Sequence, residues 1–169
     1  QLLEVAPNSA HIALAELEKD FDVNIITQNV DDLHERAGST KVVHLHGELL
    51  KVRSTFDEDL VMDWREDLNL GDFCEHQHQL RPHIVWFGEA VPMMDIAIEQ
   101  VMKSDVVVIV GTSMQVYPAA GLIQYAPGKA HTYFVDPNPQ LDTSIGVHIF
   151  AEKATSGVPR VIEHIKQLS

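Results

Sequence analysis

A parallel β-sheet covered by helices on both faces, an α/β architecture, follows from three features of this 169-residue sequence. Short apolar runs rich in β-branched residues alternate with stretches whose apolar residues recur at helical spacing. Several of those runs carry no polar face, as strands buried on both sides do. Four of them end in small or polar residues, and an open α/β sheet places its ligands at such carboxyl ends.

In chain order, Asn8-Ser9 offers an N-cap, after which Ile12, Ala13, Ala15, Leu17 and Phe21 give a helical pattern. Residues 23–26 form a short buried strand that runs into Thr27-Gln28-Asn29-Val30-Asp31-Asp32. Residues 33–37 make a helical turn stopped by Gly38. Residues 42–46, Val-Val-His-Leu-His, make a second strand stopped by Gly47. From Lys51 to Pro82 the chain is acidic with weak periodicity, which predicts a small insert over 51–83. The main domain then comprises 1–50 and 84–169.

Residues 84–87 resume a strand ending in Gly88-Glu89, and 94–103 suit a helix. Val106 to Val110 is the clearest buried strand, and it ends at Gly111-Thr112-Ser113. A helix over 119–125 stops near Pro127-Gly128. Residues 131–135 are a strand ending at Asp136-Pro137-Asn138, and 147–150 are a last short one. A helix over 158–168 closes the chain, with Val161, Ile165 and Leu168 on one stripe and Pro159 near its start.

Composition narrows the function classes. A hydrophobic share of 45% with 22% charged residues fits one globular domain, or one with a small insert, and not a disordered chain. No apolar run approaches the roughly 18 residues of a membrane helix. Twelve Lys and Arg against 25 Asp and Glu give a net charge of −13, a field that repels phosphate backbones. No nucleic acid and no membrane are expected as partners. Cys74 is the single cysteine, which excludes a disulfide framework and a four-cysteine zinc site within this sequence. No secretory signal is visible, so the cytoplasm is the expected location.

The strand ends offer the chemistry. Gly111-Thr112-Ser113 supplies backbone N–H groups and hydroxyls suited to phosphate or ribose, and Asp136 can accept from ribose hydroxyls; both are equally readable as ordinary turns. Gln28-Asn29-Val30-Asp31 places amides and a carboxylate after a strand, although these residue types also favour turns and caps. His44 and His46, two apart on one strand, face the same side: a metal pair without an evident third ligand, or locally hydrogen-bonded histidines. His46 stands at the strand end with Gly47 clearing space, where an imidazole suits general-base work near neutral pH. Cys74-Glu75-His76-Gln77-His78 has no zinc spacing and reads as an exposed polar loop, so no metal is expected. No G-x-G-x-x-G occurs.

Taken together, Thr27-Gln28-Asn29-Val30-Asp31-Asp32-Leu33-His34, His44-Leu45-His46-Gly47-Glu48-Leu49, Arg81-Pro82-His83-Ile84-Val85-Trp86-Phe87-Gly88-Glu89 and Gly111-Thr112-Ser113 with Val116-Tyr117-Pro118-Ala119-Ala120 resemble the sirtuins, NAD-dependent protein lysine deacylases. The order and spacing also match, over nearly the whole chain outside the acidic insert. Leu-His-Glu-Arg-Ala-Gly at 33–38 and His-Gly-Glu-Leu look most like the desuccinylase-like branch.

The resemblance implies a Rossmann-like domain and roles residue by residue. His46 matches the catalytic base acting on the nicotinamide ribose, so that a ribose hydroxyl attacks the acyl carbon and carries the acyl group to ADP-ribose with release of nicotinamide. Gln28, Asn29, Val30 and Asp31 match the segment that holds that ribose and the carboxamide. Gly111, Thr112 and Ser113 match the phosphate and adenosine-ribose loop. Asp136, Pro137, Asn138 and Ala154 fall at the adenosine contacts, although the family usually has Asn at the first of these. Val85, Phe87, Gly88 and Glu89 match the edge that pairs with acyl-lysine protein substrates by strand addition.

Two departures matter. Sirtuin zinc is structural and held by two cysteine pairs, whereas Ser54 stands where the first pair would begin and Cys74 alone remains of the second. A zinc-free insert is expected. The family's glycine-rich Gly-Ala-Gly-x-Ser segment, its first strand and the Tyr-x-x-Arg pair that selects acidic acyl groups do not occur in this sequence. The expectation is therefore a C-terminal portion of the pattern with little activity alone, in which adding a Gly-Ala-Gly segment restores NAD binding. A non-catalytic NAD- or peptide-binding module and a mono-ADP-ribosyltransferase are the alternatives.

Overall fold

The computed structural model of the chain describes residues 2–139 and 146–168. Helix α1 (Ser9–Leu17) begins where Asn8 Oδ1 accepts the N–H groups of Ala10 and His11, at 2.9 and 3.3 Å. His11 Nδ1 returns the favour by accepting the Asn8 N–H at 3.2 Å. Strand β1 (Ile25–Thr27) then pairs in parallel with β2 (Val42–His44), and α2 (Leu33–Ala37) connects them, stopped by Gly38 at φ 108°.

A second parallel sheet has the order β6-β7-β8, from β6 (Val106–Val110), β7 (His131–Val135) and β8 (Val147–Phe150). Helix α4 (Ala154–Lys166) lays Val161 and Ile165 on Tyr133, Val135 and Phe150. It can lie this close because Gly157 has no side chain: a Cβ there would stand 2.4 Å from Val135 Cγ1. A second cluster, Leu45 with Ala97 and Ala119, joins the β1–β2 side to α3 (Met94–Met102) and to the 3-10 helix Ala119–Tyr125. No helix among the described residues is long and apolar enough to cross a membrane.

The remaining sheet is antiparallel, with the order β4-β3-β5, from β3 (Gly47–Ser54), β4 (Val61–Asp63) and β5 (Leu80–Ile84). It has its own small core of Val52, Cys74 and Leu80 beneath Met62 and Trp64.

Several elements differ from the sequence reading. The run at 42–46 is not one strand: β2 stops at His44, and β3 starts at Gly47. Gly47 at φ 83° sends the chain off in a new direction. Residues 84–87 do not form a strand either. Strand β5 ends at Ile84, and residues 86–89 make a turn, with Gly88 at φ 91° and the Glu89 N–H on the Trp86 carbonyl at 3.0 Å. Strand β6 is half-buried along its length because, among the described residues, it pairs with β7 alone, as β1 pairs with β2 alone.

Helix α4 begins at Ala154, four residues before the expected start, which puts Pro159 inside it. Proline has no N–H for the Thr155 carbonyl four residues back. Ser9 Oγ supplies the donor instead, at 3.1 Å, and so ties α1 to α4.

The α1–α2 contact carries a pH dependence. The rings of His11 and His34 meet edge to face at 4.7 Å, and burial lowers the pKa of each below the usual 6.5. His11 also disfavours charge on His34, while Asp31 and, at His34, Glu35 oppose both shifts in part. The unfolded chain thus binds protons that the folded chain resists, so stability is full above the unfolded value and falls as pH drops through the lowered ones. Protonating His11 also ends its acceptance of the Asn8 N–H. The melting temperature is expected to decline from about pH 7 to 5, and less steeply in His34→Gln. Equal slopes in the two proteins would remove these rings from the account.

Candidate functional site

The parallel strands β1, β6 and β7 all deliver polar residues at their carboxyl ends. After β1, Thr27 Oγ1 accepts the Asn29 N–H at 3.0 Å and Asp31 Oδ1 accepts the Leu33 N–H at 3.1 Å. These two bonds shape the turn through Gln28, Asn29 and Val30. The next crossing is bonded alongside: the Leu45 N–H donates to the Thr27 carbonyl at 2.9 Å and the Leu49 N–H to the Val30 carbonyl at 2.8 Å. His46 lies between these bonds, half-buried.

The His46 ring makes the informative contact. Its Nδ1 is 3.1 Å from the Gln28 carbonyl oxygen. A carbonyl only accepts, so Nδ1 carries the proton, and in the neutral ring Nε2 holds a lone pair available as a base. On the other side, the His46 carbonyl accepts the Val85 N–H at 3.0 Å. Three segments, 27–31, 45–49 and 83–85, therefore meet at His46, the first at its ring and the third at its backbone carbonyl.

The His44 ring takes different partners from the His46 ring. Its Nε2 bonds Glu35 Oε1 at 2.7 Å and its Nδ1 lies 3.4 Å from the Asn29 carbonyl. Glu48 completes a set with His44 and Glu35 whose ligand-type atoms all lie within 4.8 Å of one another. Its carboxylate pairs with Lys51 at 2.9 Å. The sequence reading found no third ligand here because these carboxylates arrive from α2 and β3.

After β6, Gly111 takes φ 59° and donates its N–H to the Val135 carbonyl of β7 at 2.9 Å, while Thr112 Oγ1 accepts the Met114 N–H at 3.2 Å. After β7, Asp136 Oδ1 accepts the Asn138 N–H at 2.7 Å, with Pro137 between them. Gly111 to Ser113 and Asp136 to Asn138 thus stand at adjacent strand ends. Ala154 opens α4 after β8. On the third segment Phe87 is 97% exposed, but the Glu89 carboxylate turns onto Arg81.

Two hollows lie near these strands. The larger, about 430 Å³, is lined by residues 18–23 with Thr40 and Lys41, at the amino ends of β1 and β2. The smaller, about 100 Å³, is lined by Val30, Asp31 and Glu48 among others and adjoins His46's neighbours. The smaller one is at the end of the sheet where ligands bind.

The small sheet does not present a zinc donor set. Ser54 is buried, and its Oγ accepts the Phe56 and Asp57 N–H groups at 3.1 and 3.2 Å. Cys74 Sγ donates to the same oxygen at 3.5 Å. Cys74 is 3% exposed, which corrects the reading of an exposed loop for that residue, although Glu75, His76 and Gln77 are exposed. One thiol and one committed hydroxyl do not fit a four-sulfur metal site.

The chain resembles known proteins over most of its length. The Sir2 family pattern matches residues 1–118. A Helicobacter pylori (strain ATCC 700392 / 26695) protein named NAD-dependent protein deacylase is 61% identical over 137 residues, which is 81% of this chain and 60% of that protein. One from Bacteroides thetaiotaomicron with the same name is 50% identical over 175 residues, covering 99% of this chain and 73% of its own length. This chain therefore spans less than two thirds of the Helicobacter relative. Among solved structures, a Sir2 homologue–NAD complex superposes with a TM-score of 0.86 at 35% identity, covering 99% of this chain and 68% of that one. A Sir2–p53 peptide–NAD+ structure superposes with a TM-score of 0.81 at 30% identity, covering 99% of this chain and 73% of that one.

Proposed function

The chain belongs to the Sir2 family, and from that premise we propose that the protein is an NAD-dependent protein lysine deacylase. NAD is a co-substrate in this reading: nicotinamide leaves, and the acyl group moves from lysine to ADP-ribose. The carrying observation is the His46 ring, whose Nδ1–H is committed to the Gln28 carbonyl so that Nε2 takes the proton of a ribose hydroxyl. Gln28, Asn29 and Asp31 hold the nicotinamide and its ribose beside that base. Gly111, Thr112 and Ser113 receive the phosphates and the second ribose, and Asp136, Pro137, Asn138 and Ala154 border the adenosine.

The backbone of Val85, Phe87 and Gly88 receives the acyl-lysine segment as an added strand. Residues 1–50 with 84–169 serve as the NAD-binding domain and 51–83 as an insert that folds without zinc. The names of the curated relatives and the NAD-bound Sir2 neighbour support this reading.

The test is nicotinamide release from NAD with acetyl- and succinyl-lysine peptides. It is run on this chain and on a form extended with the family's glycine-rich segment. Peptide-dependent release with formation of free lysine is expected, more strongly in the extended form. ADP-ribose attached to the peptide would instead indicate a transferase, and NAD or peptide binding without turnover in either form would indicate a binding module.

A further inference from the structure

The turn after β5 is held by a single carboxylate between two arginines. Arg53 of β3 and Arg81 of β5 are directly opposite in the antiparallel register. Like charges in that relation repel, and the Arg53 side chain is only 7% exposed, so it needs a counter-charge. Glu89 provides it. Its Oε1 accepts from Arg81 Nη1 at 2.8 Å, and its Oε2 accepts from Arg81 Nη2 at 3.2 Å and lies 3.6 Å from Arg53 Nη2.

The same Oε2 accepts the Trp86 N–H at 3.0 Å, and the Glu89 N–H donates back to the Trp86 carbonyl at 3.0 Å. Arg81 Nη2 also reaches the Ile84 carbonyl at 3.3 Å. The segment is thereby fixed at both ends: Val85 to the His46 carbonyl, and Glu89 to the arginine pair. Trp86 and Phe87 between them remain 55% and 97% exposed. A carboxylate so engaged is not free to meet a substrate.

We propose that Glu89, clamped by Arg53 and Arg81, is a positioning residue that holds the 85–88 edge in the shape that accepts the acyl-lysine peptide. This rests on the deacylase reading above. Arg81, then the Trp86 N–H, also hold the Glu89 carboxyl below the usual carboxylate value, so the clamp is charged at neutral pH.

The variants are Glu89→Gln, which keeps the size but removes the charge, and Glu89→Asp as the conservative rescue. Each is read by steady-state kinetics, in whichever form of the protein turns over, and by amide exchange at Trp86. Glu89→Gln is expected to raise KM for the peptide about tenfold with kcat within about twofold, KM for NAD unchanged, and Trp86 exchange about tenfold faster. Glu89→Asp should recover part of each. An unchanged peptide KM, or equal increases for peptide and NAD, would overturn the positioning role. If the unsubstituted protein gives no turnover in either form, the deacylase reading and the peptide role fall together. Trp86 exchange then judges the clamp alone, which unchanged exchange in Glu89→Gln would overturn.

Discussion

Gly47→Ala is expected to leave little folded protein. A Cβ at position 47 would stand 1.9 Å from the His83 carbonyl oxygen, 2.8 Å from its carbon and 3.1 Å from Ile84 Cα. All three are backbone atoms of the paired strand, so no rotamer change relieves the clash. Position 47 also has φ 83°, where an L side chain adds about 1–2 kcal/mol of strain. Relief would require separating β3 from β5 at Gly47↔Ile84, beside the Val85 bond to His46. A loss of more than about 4 kcal/mol follows, a large part of a typical domain's stability. Gly88→Ala is the control, because Gly88 has φ 91° and nothing within 4 Å of the added atom. It should cost only the backbone strain. Equal denaturation midpoints for the two variants would show that the close approach at 47 is relieved at no cost.

What the sequence disclosed was mostly local. The Asn8 cap is legible because its partners are two and three residues away. Strands β6 and β7 are legible because an unbroken β-branched or aromatic run of five has few other uses. The break between His44 and Gly47 is not: Val42 to His46 reads as one strand, and the close approach that requires glycine comes from His83. Cys74 looked exposed because its neighbours in sequence are polar, while its neighbours in space are Ser54, Val52 and Leu80. The Arg53–Glu89–Arg81 clamp depends on strand register, which composition does not encode. For His46 the residues suggested a base only by position, and the bond to the Gln28 carbonyl depends on two separate crossings meeting. The resemblance carried the role assignments that periodicity could not supply.

That bond makes His46→Asn the most informative substitution for the chemistry. The asparagine amide can place Nδ2 near the position of the ring Nδ1 and keep donating to the Gln28 carbonyl. The Thr27–Leu45 and Val30–Leu49 bonds are all main-chain and remain. What disappears is Nε2, the proton acceptor. Deacylation is therefore expected to fall about 10²- to 10⁴-fold while the melting temperature and NAD affinity change little. Under the proposed deacylase chemistry the loss should appear in acyl transfer and not in departure of nicotinamide, because in that scheme the base acts on the ribose hydroxyl after that bond has broken. A first turnover that releases nicotinamide but forms no free lysine would carry this signature. His44→Asn is the companion variant, since its ring faces Glu35 and the Asn29 carbonyl. If His44→Asn abolished turnover and His46→Asn left it within about tenfold, the base would have been assigned to the wrong histidine.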